Sequence, residues 1–177
     1  MKYWIGLVVV LVSSLFLSCS SSDDTKEIDP IFSLPYTPLS SMNDLDEGDY
    51  AYVGIKIADQ KVGMITPTST TCARKDFMTI FYDGTELNHM IYYKKNRSCS
   101  GTVAVMLSEM FLENEGILAT LIGSSDQSNP SAVPHDTKNH IRLEVGFQGE
   151  YLRIEDRMSN FTRTKHNEKV YLYFKKK

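Results

Sequence analysis

The chain has 177 residues, a formal net charge of −3 at pH 7 and 42% hydrophobic residues. This length suits a single domain that folds without a metal, and its 19 Lys and Arg residues form no dense stripe of the kind that binds nucleic acid. The charge is uneven, because residues 20–50 carry eight acids against one base while residues 51–177 carry 14 acids and 17 bases. We therefore expect a mildly basic domain behind an acidic segment.

The first eighteen residues are typical of an export signal. Lys2 precedes an apolar run from Tyr3 to Leu17, which is too short to cross a hydrocarbon core of roughly 30 Å as a stable helix. The segment Phe16-Leu17-Ser18-Cys19 resembles the lipobox of bacterial lipoproteins, whose cysteine is lipidated and becomes the first residue after cleavage. The resemblance implies a signal peptide over residues 1–18, lipidation at Cys19, and outer-membrane lipid as the partner that holds the protein.

Residues 19–46 are predicted to form a flexible, lipid-anchored tether. They are rich in Ser, Asp, Pro and Thr, and Pro30, Pro35 and Pro38 disfavour a regular element. A second possibility is that Ile31-Phe32-Ser33-Leu34 docks on the domain. The β domain is then expected over residues 47–177.

From Gly48 onward the hydrophobic pattern has a period of two, which indicates β-strands. The segments are rich in Val, Ile, Tyr, Phe and Thr and are separated by Gly, Asp and Asn. The predicted strands are Tyr50–Ile57, Lys61–Thr66, Asp76–Tyr82, Thr85–Tyr93, Gly101–Leu107, Ile117–Gly123, His140–Phe147, Glu150–Asp156 and Lys169–Lys175. Short strands at near-regular spacing predict an all-β antiparallel barrel or sandwich.

Three segments interrupt this pattern. Residues 103–114 have some apolar residues at helical spacing, but we favour a strand that ends near Leu107, followed by a turn at 113–116. Ser124–Lys138 is predicted to be a long loop, and Arg157–Asn167 a second, basic loop.

Two hairpins have predicted registers. A turn at Gln148-Gly149 would give one apolar and one charged face, and a turn at Asp83-Gly84 suits a type I′ hairpin. The first register pairs Phe147–Glu150, Val145–Leu152, Leu143–Ile154, Glu144–Arg153 and Arg142–Glu155. The second pairs Ile80–Leu87 and Met78–His89 on one face and Phe81–Glu86 and Phe77–Met90 on the other.

Cys72 and Cys99 are predicted to form a disulfide, with two free thiols as the alternative. An exported protein meets an oxidising environment, and the lipid occupies the third cysteine, Cys19. Cys72 precedes one predicted strand and Cys99 follows the next, so both fall at the same end of the sheet. Neither has a His at the spacing of a metal or catalytic motif.

Motifs of catalysis and cofactor binding are missing from the sequence. It contains no Gly-rich phosphate loop, no G-x-S-x-G and no H-E-x-x-H, so we predict no enzymatic activity and no cofactor. The four histidines have no spacing suited to a metal site; they are His89, His135, His140 and His166. Many tyrosines fall on predicted strands, where they are expected either to stack on sugars or to be half-buried strand residues.

The order of these parts resembles the lipocalin-like lipoproteins of Bacteroidota. The matching features are Cys19-Ser20-Ser21-Ser22-Asp23-Asp24, Gly48-Asp49-Tyr50 at the first strand, Cys72 before the Asp83-Gly84 turn, and the closing strand 169–175. The resemblance implies an antiparallel up-and-down barrel of about eight or nine strands, with a β-sandwich as the alternative, placed on the cell surface. The chain departs from the lipocalin G-x-W motif, since Tyr50 stands in the tryptophan position.

Two functional hypotheses follow. The first is a lipid-anchored, non-enzymatic binding protein of the bacterial outer membrane that holds a small apolar or amphipathic ligand in the barrel, with Ser124–Lys138 near the mouth. The second is a surface interaction module with a packed core, which binds glycan or a protein partner. A cavity of several hundred Å³ favours the first hypothesis, and a filled interior favours the second.

Overall fold

The computed structural model describes residues 30–58, 64–68, 70–84, 86–95, 98–126, 139–157 and 169–177. The elements in chain order are α1 (Pro30–Ser33), β1 (Tyr36–Pro38), β2 (Gly48–Ile57), β3 (Phe77–Asp83), β4 (Glu86–Lys95), β5 (Thr102–Asn114), β6 (Ile117–Asp126), β7 (Ile141–Gln148), β8 (Tyr151–Glu155) and β9 (Val170–Lys176). Two short 3-10 turns occupy Met42–Asp44 and Cys72–Lys75.

Strands β2 to β9 form a closed, antiparallel, up-and-down barrel. Each strand pairs with the next along the chain, and β9 returns to pair with β2, which closes the sheet. Strand β1 is an additional strand that pairs with β7 beside the start of β6. The structure therefore confirms the predicted all-β barrel and excludes the sandwich.

The two ends of the barrel differ in their connections. The hairpins β3–β4, β5–β6 and β7–β8 have two-residue turns at one end, called here the turn end, and each turn contains a glycine with positive φ. The four longer connections, over 58–76, 96–101, 127–140 and 156–169, start and finish at the opposite end, called here the loop end. Sequence variation that leaves the barrel intact is therefore easier to accommodate at the loop end.

Alternate residues of the eight strands fill the barrel. The inward side chains are apolar, and the most buried of them are only 0–3% exposed. They include Tyr50, Met78, Ile80, Met90, Tyr92, Val105, Leu107, Leu118, Ile122, Leu143, Val145, Leu152, Ile154, Leu172 and Phe174. The interior is thus a packed hydrophobic core.

The N-terminal segment closes the turn end of this core. Leu39 and Leu45 are almost fully buried in the same cluster as the inward strand residues. The Tyr82 hydroxyl donates hydrogen bonds to the carbonyl oxygens of Met42, at 3.1 Å, and Leu45. Ser41 caps the 3-10 turn between them. Residues 39–47 therefore belong to the folded domain.

Helix α1 covers part of the outside of the barrel. The Phe32 ring packs edge-on against Tyr173 of β9 at 5.9 Å, and Lys56 Nζ lies 3.7 Å from the centre of the Phe32 ring. Ile31 and Phe32 join an outer cluster with Met64, Tyr171 and Tyr173. The structure adopts the second possibility given above, in which residues 31–34 dock on the domain.

The tether prediction is consequently wrong for residues 30–46, while residues 19–29 lie outside the described ranges. The three prolines occupy positions that tolerate them. Pro30 begins α1, where no intrahelical N–H bond is needed; the Pro35 carbonyl accepts a hydrogen bond from Gly149; and Pro38 lies in the short strand β1, which pairs on one side only.

A polar network fixes β1 against the outside of β7, β8 and β9. The Arg153 guanidinium lies between the rings of Tyr36 and Tyr171, 4.1 and 3.8 Å from their centres. Glu144 accepts hydrogen bonds from Tyr171 at 2.7 Å, from Arg153 at 3.4 Å and from Lys169. Burial opposes ionisation of Glu144, but the bonds from Lys169 and Tyr171 together with the charges of Lys169 and Arg153 outweigh it, so the pKa of Glu144 is lowered. Glu144 thus accepts hydrogen bonds from three side chains, instead of forming only the predicted cross-strand pair with Arg153.

Strand limits differ from the prediction in two places. Over the predicted strand Lys61–Thr66, residues 61–63 lie outside the described ranges, and the remainder makes a single bridge, Ile65 to Ile55. Strand β5 runs to Asn114 instead of ending near Leu107. A bulge between Ser108 and Phe111 moves the inward positions from odd to even numbers, which explains the apparent helical spacing.

The β7–β8 register is shifted by two residues from the predicted one. Gly149 and Glu150 form the turn, so Phe147 pairs with Leu152 and Val145 with Ile154. Because the shift is even, Leu143, Val145, Leu152 and Ile154 share the interior face as predicted. The predicted Arg142–Glu155 pair is replaced by Arg142–Glu113, at 2.6 Å.

The β3–β4 register is also shifted. Asp83 pairs with Glu86, and a bulge after Phe81 places Ile80 opposite Met90 and Phe81 opposite His89. All four predicted pairs of this hairpin are therefore wrong. The bulge adds a residue to one strand, which no turn rule anticipates.

Adjacent residues of β5 provide a test of the face assignment. Val105→Asp would place a charge in the filled interior and should lower the free energy of unfolding by more than about 3 kcal/mol. Met106→Asp, at a position that is 37% exposed on the outer face, should change it by less than about 1 kcal/mol. Urea unfolding followed by tyrosine fluorescence measures both; equal losses would contradict the assignment.

Candidate functional site

The described interior of the barrel is occupied by protein side chains. Phe174 lies 5.8 Å from Tyr52 and 5.4 Å from Tyr92, measured between ring centres, and Met78 and Met90 fill the adjacent space without solvent exposure. A side chain that lined a chamber large enough for a ligand would retain accessible surface. Phe174, Tyr92, Met78 and Met90 are only 0–2% exposed, while Tyr52 is partly buried against them. Over the described ranges, the barrel is therefore filled, and a site for a partner must lie at its ends or on its outside.

A buried carboxylate joins three strands at the loop end. Asp76, which is 3% exposed, accepts hydrogen bonds from the Lys95 N–H at 2.8 Å and the Tyr92 hydroxyl at 3.0 Å. Its own N–H bonds to Ala73, and its carbonyl accepts the N–H of Tyr52 at 3.2 Å. Burial raises the pKa of Asp76, although the bonds from Lys95 and Tyr92 act in the opposite direction.

Two tyrosines and a second carboxylate surround Asp76. Burial raises the pKa of both Tyr52 and Tyr92, and the negative charges of Asp76 and Asp156 add to this effect. Asp156 is itself buried, and its N–H donates to the Val170 carbonyl at 2.8 Å. Both tyrosine hydroxyls therefore favour the protonated form, and the hydroxyl of Tyr92 donates its hydrogen bond to Asp76.

The disulfide prediction is confirmed at the same end. Cys72 and Cys99 are bonded, with their Cα atoms 5.2 Å apart. The bond joins the 3-10 turn Cys72–Lys75 to residues 98–100, where Cys99 has a φ of 60°. Closing a 27-residue separation stabilises the fold by roughly 3–4 kcal/mol in the chain-entropy account.

Aromatic side chains line the outer face of β3 and β4. Phe77 stacks on Tyr93 with ring centres 4.8 Å apart, and Phe81 stacks on His89 at 5.1 Å. His89 Nδ1 is buried and has no hydrogen-bond partner among the described residues.

The predicted tyrosines do not gather into one pocket. Tyr50, Tyr52, Tyr82 and Tyr92 contribute to the core or bond to it, whereas Tyr93 is on the outer face of β4. Tyr151, Tyr171 and Tyr173 belong to the outer cluster near α1. Burial raises the pKa of Tyr50 to about 12, and its hydroxyl donates to the Asp46 carbonyl at 2.9 Å.

Several sequence predictions fall on residues outside the described ranges. These are Cys19, His135, His166, most of Ser124–Lys138 and nearly all of Arg157–Asn167; strand β6 continues to Asp126. His140 is described and lies 3.6 Å from the Glu109 carboxylate. Over the described ranges, no three His, Cys, Asp or Glu side chains are grouped so that they could hold a metal.

One feature of the loop end was not anticipated. The disulfide brings Arg74 and Lys75 of one connection close to Lys94 and Lys95 at the end of β4. The signal was present in the sequence, because Cys72 has two basic residues within five positions and Cys99 has three. Combining the disulfide prediction with local charge would have located this basic surface.

Comparison with known proteins gives no assignment. No protein-family model, curated protein or solved structure matches the chain. In the part of the chain that is described, no helix has the length and hydrophobicity needed to cross a membrane.

The buried Asp76 predicts a specific pH dependence of stability. Folding raises the pKa of the Asp76 carboxyl group, so this group stabilises the folded state fully only below the pKa of the unfolded chain, near 4. The stabilisation is lost as the pH rises through the folded-state pKa. Asp76→Asn stays neutral and can still accept from Lys95 and donate to Tyr92. The free energy of unfolding of this variant, relative to the wild type, should therefore rise with pH above about 4 and then level off. Urea titrations of both proteins at a series of pH values measure this difference; a difference independent of pH would contradict the assignment.

Proposed function

We propose that this protein is a lipid-anchored, non-enzymatic interaction module of the bacterial outer membrane, which binds glycan or a protein partner through its outside. The observation that carries the proposal is the filled barrel, whose most buried inward side chains are 0–3% exposed. A rigid core of this kind supports loops and outer faces in fixed positions, as binding scaffolds do. A filled barrel therefore favours recognition of a partner at the surface over binding of a ligand in the interior.

The lipobox supplies the anchoring part of the proposal. Lipidated Cys19 would precede Pro30, the first described residue, by eleven positions. At full extension those residues span at most about 40 Å, so the barrel would remain close to the membrane. The acidic run after Cys19 favours the outer face of the outer membrane by the resemblance already described.

A small apolar ligand inside the barrel is the second candidate. It is favoured by the methionines of the core, since Met78 of β3 and Met90 of β4 are both buried inside the barrel, where they pair with Tyr92 and Ile80, and methionine side chains repack readily. Binding would require these side chains, together with Tyr52 or Phe174, to leave the space that they fill. The two candidates therefore differ in whether the core moves.

Methyl NMR distinguishes the two candidates. In protein labelled with 13C at the methionine methyl groups, addition of octanoate should leave the Met78 and Met90 resonances unchanged, because a filled core offers no space. Met106, on the outer face, is the internal control for weak surface association. Saturable shifts at Met78 and Met90 without a shift at Met106 would replace the first candidate with the second.

Replacement of Cys19 tests the anchor. Cys19→Ala should leave the protein soluble or retained with its signal, because the lipid on this cysteine is the proposed membrane attachment. Phase partitioning in a cloud-point detergent, combined with the mass of the N-terminal peptide, gives the result. Cys72→Ala is the control and should partition like the wild type. A processed Cys19→Ala protein that remains entirely in the membrane fraction would rule out the anchor.

A further inference from the structure

A small basic surface is held together by the disulfide at the loop end. It consists of Thr70–Lys75 and Ser98–Ser100, and we call it the disulfide knob. Arg74 and Lys75 are exposed on it, next to Lys95, whose N–H bonds to Asp76. The disulfide and the Asp76 bonds fix two connections relative to one another, so these cations are displayed on a supported surface.

The cations of the knob differ from those at the turn end. Lys175, Lys176 and Lys177 are each neutralised by an acidic partner, at 2.5, 2.9 and 3.6 Å. Among the described residues, Arg74 and Lys75 form no ion pair. Asp76, the nearest carboxylate in sequence, is buried and directed at Tyr92 and Lys95. The knob therefore presents uncompensated positive charge on a chain whose overall charge is negative.

The rest of the knob is polar and small. Exposed hydroxyl groups come from Thr70, Thr71, Ser98 and Ser100, and Thr68 lies beside them, 3.1 Å from Thr70 between hydroxyl oxygens. None of the large, exposed hydrophobic side chains of the described residues is in the knob. Such a surface can bond hydrated anionic groups but has no apolar side chain to insert into a bilayer.

We propose that the disulfide knob binds an anionic polysaccharide, one that carries sulfate or phosphate groups. The Arg74 guanidinium can hold an oxyanion with two parallel N–H bonds, Lys75 adds a point charge, and the hydroxyls bond sugar oxygens. The stacked Phe77 and Tyr93 rings follow on β3 and β4, and since Lys177 Nζ lies 4.6 Å from the centre of the Phe77 ring, the half-buried Tyr93 is the ring that would contact a sugar. This inference rests on the proposed function, since it names the partner class of the interaction module.

Heparin, a soluble sulfated polysaccharide, is the probe for this site. Binding of fluorescein-labelled heparin to the full chain in non-ionic detergent should be saturable and weaken as NaCl is raised. Arg74→Gln combined with Lys75→Gln should weaken binding by about tenfold or more and flatten the salt dependence. The matched control, Lys175→Gln with Lys176→Gln, removes the same charge at the turn end and should change the affinity by less than about twofold.

The outcomes separate the possible errors. Absence of saturable heparin binding, or equal losses in the two double variants, overturns the site. A larger loss of affinity for phosphatidylglycerol vesicles than for heparin on Arg74→Gln with Lys75→Gln, measured relative to phosphatidylcholine vesicles, which the lipid anchor enters equally, overturns the polysaccharide assignment in favour of a membrane surface. Unchanged Met78 and Met90 methyl resonances in the octanoate titration would leave the interaction module standing in either case, whereas saturable shifts there would remove both proposals.

Discussion

Closure of the barrel through β9 is the constraint on which the rest of the structure depends. Its edges bond to β2 and β8, and Val170–Phe174 are buried on both faces. Leu172 and Phe174 enter the core, while Tyr171 and Tyr173 lie under α1 and Met64. A strand that is bonded on two edges and covered on two faces has no exposed edge for aggregation. The last strand therefore requires the N-terminal segment as well as its neighbours in the barrel.

The alternation of the sequence predicted the barrel and the faces of most strands because the period of two is a local property. It could not locate the bulges, which shift β3 against β4 and reverse the parity of β5. The bulge near Gly54 of β2 is similar: a Cβ there would lie 2.7 Å from the carbonyl oxygen of Ile65, so glycine is needed by a distant segment. Such requirements are set by tertiary contacts.

The N-terminal segment shows the same limit in composition-based reasoning. Its prolines and polar residues predicted a tether, yet Leu39 and Leu45 complete the core. Gly146 allows this segment to approach, because a Cβ there would lie 2.4 Å from the Thr37 carbonyl oxygen. A few apolar residues at the right positions outweigh an average composition, since each fully buried side chain contributes about 1.5–3 kcal/mol.

The candidate site was predictable to the extent that covalent geometry determines it. The placement of Cys72 and Cys99 at one end of the sheet followed from strand order, and the disulfide carries Arg74 and Lys75 with it. Whether the barrel is hollow could not follow from the pattern, because a ligand-filled and a protein-filled barrel have the same alternation. The size of the inward side chains decides it, and here Tyr52, Tyr92 and Phe174 meet near the loop end. With the turn end closed by residues 39–47 and the described interior filled, the proposed recognition is left to the loop end and the outer faces, where Arg74 and Lys75 of the knob form no ion pair with a described residue.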